Sequence, residues 1–175
     1  MSIELITGPM FGGKSTALIM TVKRYALQGH SISFVKPTID ERYESHDVVT
    51  HDYIKEPAIR CRTLDEADRI LSAQVNVIGI DEGQFFPDLV HVCVRWATRG
   101  IRVVVAALNG TATQEPWPVI SQLIPHCDKI TFQAAVCKRC YDDAAFSART
   151  TDATDTILIG GTDAYQSVCR RCLTR

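Results

Sequence analysis

The chain has 175 residues, 46% of them hydrophobic and 22% charged, with a formal net charge of -1. This balance excludes a charge-rich disordered chain and the broad basic footprint of a nonspecific nucleic-acid binder. The longest apolar runs, such as residues 103–108, fall far short of the roughly 20 residues that a membrane-spanning helix needs. Length predicts one domain with a small annex. A loop glycine stands already at Gly8, leaving no room for a secretory leader, so a cytoplasmic setting is expected. Of the seven cysteines, Cys61, Cys93 and Cys127 are scattered, and four form two CxxC pairs near the end of the chain. An odd count with paired spacing favours metal over disulfides. Asn109-Gly110-Thr111 fits a glycosylation acceptor formally but reads as a turn.

In chain order, residues 2–7 are a short apolar strand stopped by Gly8, and residues 15–28 carry helical spacing at Leu18, Ile19, Val22, Tyr25 and Ala26. Residues 31–36, 75–80 and 101–108 read as buried strands, separated by helical patterns at 64–73 and 87–99. Strands alternating with helices predict an α/β fold, a mainly parallel sheet with helices on both faces. Between Pro37 and Pro57 lies a polar stretch with Asp40, Arg42, His46, His51 and Asp52, where only Val48 and Val49 hint at a strand. Loops of this length tend to carry function or move. After Ile130 the pattern changes to short strand-like pieces, two cysteine knuckles and a Thr/Asp-rich segment from Thr150 to Thr156. The boundary is placed near residue 134, with residues 1–134 as the α/β domain and 135–175 as a small C-terminal subdomain.

Gly8-Pro9-Met10-Phe11-Gly12-Gly13-Lys14-Ser15 satisfies G-x-x-x-x-G-K-S between a predicted strand and helix, the context a phosphate-binding loop requires. Backbone N–H groups would surround phosphate oxygens, Lys14 would reach the β- and γ-phosphates, and the Ser15 hydroxyl would ligate Mg²⁺. Asp81-Glu82 follows an apolar strand, which puts Asp81 at the C-terminal edge of the sheet as a second Mg²⁺-associated acid. Glu82 is then placed to take a proton from an attacking oxygen. The pair alone does not separate an ATPase, acting on water, from a kinase, acting on a hydroxyl.

Cys137-x-x-Cys140 and Cys169-x-x-Cys172, 28 residues apart, have the spacing of a tetrahedral four-thiolate Zn²⁺ site of structural type. Such a site would staple a segment too small to bury its own core. Lys138, Arg139, Arg170 and Arg171 sit inside the knuckles, either to offset the thiolate charge, which we favour, or as a nucleic-acid patch. Tyr165 is either packing or a ring that stacks on a substrate. Phe85 and Phe86 are core or pocket wall, and His51 is a phosphate contact or a solvated loop residue.

With these residues assembled, the chain resembles the thymidine kinases of the cellular and poxviral type. The similarity is collinear: GPMFGGKST at 8–16, DERY at 40–43, THD at 50–52, IGIDEGQFFPD at 78–88, VAALNGT at 105–111, AVCKRC at 135–140 and IGGTDAYQSVCRRC at 159–172. The resemblance implies a P-loop NTPase core of the RecA-like kind and transfer of the ATP γ-phosphoryl group to the 5′-hydroxyl of thymidine, with Glu82 as general base. It also implies that Thr16, Asp40 and Arg42 belong with the loop residues in holding ATP. The segment from Thr150 to Gly160 corresponds to a lasso clasping the pyrimidine through backbone groups, among them those of Thr156, Leu158, Ile159 and Gly160, and Tyr165 lines the nucleoside site. Met10, Phe85, Leu108, Trp117 and Ser147 fall at other pocket positions. The family's homotetrameric state, feedback by thymidine triphosphate and acceptance of deoxyuridine follow as expectations, with no nucleic acid and no membrane as partners. A zinc-knuckle ATPase or nucleic-acid-binding module is the alternative reading of the same loop. The sequence departs from the family pattern at Gly12, Asn109, Ser147 and Ala112, the last replacing an aromatic residue.

Overall fold

The computed structural model describes residues 1–39, 47–49, 55–150 and 160–174, with side chains omitted for 47–49 and 55. A first strand, β1 (Ile3–Gly8), leads through the glycine-rich loop into helix α1 (Lys14–Leu27) and strand β2 (Ile32–Pro37). Strands β3 (Asp47–Val49) and β4 (Lys55–Cys61), helix α2 (Leu64–Ile70), strand β5 (Val77–Ile80), helix α3 (Leu89–Thr98) and strand β6 (Arg102–Leu108) follow. The order of the seven-stranded sheet is β3-β4-β2-β5-β6-β1-β7, with helix α4 (Pro118–Leu123) preceding strand β7 (Lys129–Phe132). Every pairing is parallel except that of the short edge strand β3. Among the described residues no helix is long and apolar enough to cross a membrane.

The central strands are apolar on both faces because both faces are covered. Alternation sends Ile78, Ile80, Val103 and Val105 to one side, where Leu64, Leu89, Val92 and Trp96 from α2 and α3 meet them. The opposite residues, Ile6, Phe34, Val77 and Val104, pack under Leu18, Ile19 and Val22 of α1. Such a sheet opens its C-terminal edge toward the loops that follow β1 and β5, which flank β6, so the loop at 8–15 and the Asp81-Glu82 pair come to the same edge of the sheet.

Helix α2 is capped twice. Thr63 accepts a hydrogen bond from the Glu66 N–H, and the Asp88 carboxylate accepts from the N–H groups of Leu64 and Asp65 at 3.0 and 2.9 Å. Asp88 is itself the residue before α3, so its side chain spans from one helix entry to the other. Asp68 then ties the two helices along their length, accepting from Trp96 Nε1 at 2.6 Å and pairing with Arg95 and Arg99.

The α/β class holds, and all seven of the predicted elements up to residue 108 fall where the pattern put them, with no end displaced by more than three residues. Two elements escape the sequence reading. The stretch taken as loop up to Pro57 contains the start of β4, which carries Lys55, Glu56, Pro57 and Arg60 and so lacks an apolar run. Its outer position explains the composition: residues 55–57 pair only with β3, and 58–61 only with β2. The hint at Val48-Val49 is the strand β3. Helix α4 is short, opens on Pro118 and buries only Ile120 and Leu123.

Beyond β7 the chain forms two two-stranded ladders, β8 (Ala135–Val136) with β9 (Asp143–Ala144), and β10 (Phe146–Arg149) with β11 (Tyr165–Val168). A single helical turn, α5 (Arg170–Leu173), completes it. These pieces have their own small cluster, built from Ala135, Cys137, Ala144, Val168, Cys169 and Cys172.

Candidate functional site

The glycine-rich loop is shaped by what lies over it. A Cβ on Gly12 would come within 2.6 Å of the Gln133 carbonyl oxygen, and one on Gly8 would collide with the same atom. Gly13 enters α1 with φ of 72°, the left-handed region that glycine tolerates. No side chain caps α1, which leaves its first N–H groups directed at the loop, an arrangement suited to an anion. Lys14 Nζ donates to the Pro9 carbonyl at 2.7 Å, folding the lysine back over the loop. Thr16 lies partly buried in the first turn of α1.

Ser15 Oγ donates to the Asp81 carboxylate, lying 3.0 Å from Oδ1 and 3.1 Å from Oδ2. The loop helix and the end of β5 therefore meet at a hydroxyl and a carboxylate that is only 6% exposed. Three oxygens in so small a space suit a hard cation. Glu82, next in the chain, is partly buried and held at φ 51°, ψ 44°, a left-handed conformation that costs a non-glycine residue on the order of 1 kcal/mol. It opens the 3₁₀ turn Gly83–Phe85. Gln84 Nε2 donates to Glu82 Oε2 at 2.5 Å.

Phe85 and Phe86, left open between core and wall, separate clearly. Phe86 is fully buried in the main core, whereas Phe85 stands partly exposed with its ring edge-on to Trp117, centroids 5.6 Å apart. Leu108 ends β6, partly buried. The Trp117 indole N–H is buried without a hydrogen-bond partner among the described residues.

The loop is wired to the C-terminal pieces at two consecutive residues. The Met10 N–H donates to Ser147 Oγ, buried in β10, at 2.9 Å, and Phe11, at φ 64°, packs against the cysteine cluster. Tyr165 in β11 is buried, with the Arg149 guanidinium 5.9 Å from its ring centre. Thr150 and Asp163–Ala164 close the ends of the segment between them: the Thr150 N–H bonds the Ala164 carbonyl and its hydroxyl the Asp163 carbonyl. Gly160 lies just inside this closure, where a Cβ would press on Ala164. Asp40, Arg42 and His51, and Thr156, Leu158 and Ile159 of the lasso, lie outside the described residues.

Cys137, Cys140, Cys169 and Cys172 converge, their sulfurs all within 4.8 Å of one another and those of Cys140 and Cys169 3.6 Å apart. Four sulfurs at about 2.3 Å from one Zn²⁺ would stand about 3.8 Å apart, so the cluster fits that metal. Burial pushes the Cys137 thiol up, but N–H donation from Cys169, Arg139 and Cys140 outweighs it and brings the thiol down to about 6. Burial, together with its cysteine neighbours, pushes Cys172 up to about 12. Four thiols that cannot all ionise side by side are what a bound dication resolves.

The expected charge compensation is narrower than the sequence suggested. The Cys140 sulfur raises the Arg171 guanidinium above its ordinary value, but Arg139 donates to the Cys172 carbonyl and Arg170 lies over the Phe146 ring. Lys138 is exposed. Sequence reasoning also missed Gln84, Asp88 and Gln133, neutral or distant residues whose work is visible only through their hydrogen bonds and close approaches.

A parallel sheet with a glycine loop, a serine–aspartate junction and a four-cysteine centre defines an α/β protein of the nucleotide-handling kind. The family model described as thymidine kinase matches residues 1–173. The chain belongs to the thymidine kinase family, and is an enzyme of that kind. It is 48% identical to the thymidine kinase of Myxoma virus (strain Lausanne) over 170 residues, covering 97% of this chain and 94% of the relative. The thymidine kinases of Yaba monkey tumor virus and Vaccinia virus (strain Western Reserve) are each 44% identical over 97% of the chain, which spans 93% and 95% of their lengths.

Proposed function

We propose that the chain transfers the γ-phosphoryl group of ATP to the 5′-hydroxyl of thymidine, and also of deoxyuridine, with Mg²⁺. The observation that carries this reading is the hydrogen-bonded junction of Ser15 with Asp81, which joins the glycine loop to the strand end where Glu82 stands next in sequence. The N–H groups of residues 11–16, at the end of the loop and the start of α1, bind phosphate oxygens, and Lys14 supplies a cation to the β- and γ-phosphates. Ser15 and Asp81 would hold Mg²⁺, which neutralises phosphate charge when bound. Asp40 and Arg42 complete the nucleotide set.

Glu82 accepts the proton of the 5′-hydroxyl as that oxygen bonds to the γ-phosphorus. The bond from γ-phosphorus to the bridging oxygen breaks, and ADP leaves with the electron pair. Met10, Phe85, Leu108, Trp117, Ser147 and Tyr165 line the nucleoside, while backbone groups of Thr156, Leu158, Ile159 and Gly160 read the base edge. Main-chain recognition rejects cytosine, because its reversed donor pattern would orphan buried amides.

Residues 1–134 form the ATP-binding unit, of the P-loop RecA-like kind, and 135–175 a zinc-bearing unit, a division supported by the separate apolar cluster around the cysteines. Zn²⁺ on the four thiolates holds both ends of the lasso without taking part in chemistry. A homotetramer, feedback by thymidine triphosphate and a cytoplasmic setting complete the reading and rest on the family resemblance. Mass-spectrometric product analysis with ATP tests the reading, with and without Mg²⁺, against thymidine, deoxyuridine and deoxycytidine. Monophosphates should form from the first two only and require the metal; none from thymidine would overturn the proposal.

A further inference from the structure

Gln84 lies in none of the roles above, yet it is only 5% exposed and its amide is spent on both sides. Its Oε1 accepts from the Leu108 N–H at 3.1 Å, and its Nε2 donates to Glu82 Oε2 at 2.5 Å. The assignment of the two amide atoms is forced. A backbone N–H can only donate, so the amide oxygen must face Leu108 and the amide nitrogen must face the carboxylate. Leu108 is the last residue of β6, a strand locked in the sheet between β5 and β1. Glu82, by contrast, sits on a left-handed turn just beyond β5, with a side chain of several rotatable bonds that must be fixed for proton transfer.

We propose that Gln84 is a positioning residue for phosphoryl transfer, a rigid strut from the end of β6 that holds the Glu82 carboxylate in the orientation from which it accepts the 5′-hydroxyl proton. This rests on the reading of Glu82 as the base. On this proposal Gln84 acts through one carboxylate oxygen rather than directly on substrate or phosphate. Loss of the strut therefore lowers turnover and leaves substrate binding alone.

The discriminating variant is Gln84→Glu, which keeps an acceptor for Leu108 and its shape but replaces the donor to Glu82 with a second acceptor. Gln84→Met removes both bonds without adding charge. Steady-state kinetics of the full chain are measured for both, each alone and combined with Glu82→Gln, together with thermal midpoints. Each single variant should lower kcat about tenfold or more with both KM values within about twofold of the parent. In the Glu82→Gln background, adding Gln84→Glu should cost less than about a further twofold, because the strut has lost its object. Unchanged kcat in Gln84→Met, raised KM with kcat retained, or losses that multiply in full would overturn the proposal. If Glu82→Gln alone leaves kcat intact, it is the base assignment that fails, and the strut with it.

Discussion

Glu82 and Asp81 divide the labour of two adjacent acids by conformation. Asp81 follows directly on β5 and turns its carboxylate to Ser15, whereas Glu82, on a left-handed backbone, accepts from Gln84. On this account Glu82→Gln retains the shape and the bond partners but cannot accept a proton. Its kcat should fall roughly 10²- to 10⁴-fold with ATP and thymidine binding preserved, measured by turnover and by equilibrium titration of each substrate. A loss below about tenfold would send proton transfer elsewhere. The substitution of an aromatic residue by Ala112 raises a second question at this scale. Trp117 stands edge-on to Phe85, so on the proposed reading the indole supplies ring surface to the nucleoside wall. Trp117→Ala should raise the thymidine KM about five- to a hundredfold, and Ala112→Phe should do little or crowd the pocket. A silent Trp117→Ala with a lowered KM for Ala112→Phe would show an open pocket instead.

At the scale of elements, the packing of α2 on α3 hangs on partly buried carboxylates as well as on apolar area. Burial pushes the Asp68 carboxyl up, but hydrogen bonds from Trp96 and Arg99 and the charges of Arg99 and Arg95 more than reverse this, holding it below its ordinary 3.8. A depressed folded value means the unfolded chain binds the proton more readily, so the stabilisation is fully present above pH 3.8 and is lost as pH falls through the folded value. Asp68→Asn should cost about 1 to 3 kcal/mol at pH 7, and the cost should shrink as pH falls through the acid range below 3.8, as read from urea unfolding across that range. A difference independent of pH would remove the charge from the explanation. The same elements show what a sequence displays. Residues 101–108 and 75–80 were legible because central parallel strands must be apolar on both faces, and the loop at 8–15 because glycine and lysine spacing is dictated by the phosphate. Strand β4 was hidden because an outer strand with Pro57 and three charged residues carries no such demand. Asp88, bridging to α2 across 23 and 24 residues of sequence, leaves no local pattern at all.

For the whole molecule, the metal-binding pieces and the glycine loop are one mechanical unit. Met10 hydrogen-bonds Ser147, and Phe11 packs on the cysteine cluster, so whatever loosens the thiolate centre should loosen the loop that faces ATP. Metal analysis should find one zinc per chain, and a chelator that removes it, or Cys140→Ser, should weaken ATP binding by about fivefold or more as well as abolishing thymidine binding. Intact ATP affinity in the metal-free protein would mean that the contacts at Met10 and Phe11 do not carry the coupling. The closure at Thr150 and Asp163–Ala164 belongs to the same unit, because β10 leads into it and β11 leads from it to Cys169. Excluding water from the reaction is then a property of the assembled molecule rather than of any one residue. The central claim, that this assembly spends ATP on a nucleoside hydroxyl and not on water, is tested most directly by the rate of ADP formation with and without thymidine. The account predicts ADP matched mole for mole by thymidine monophosphate and almost none without the nucleoside; ADP formed at the same rate in its absence would contradict it.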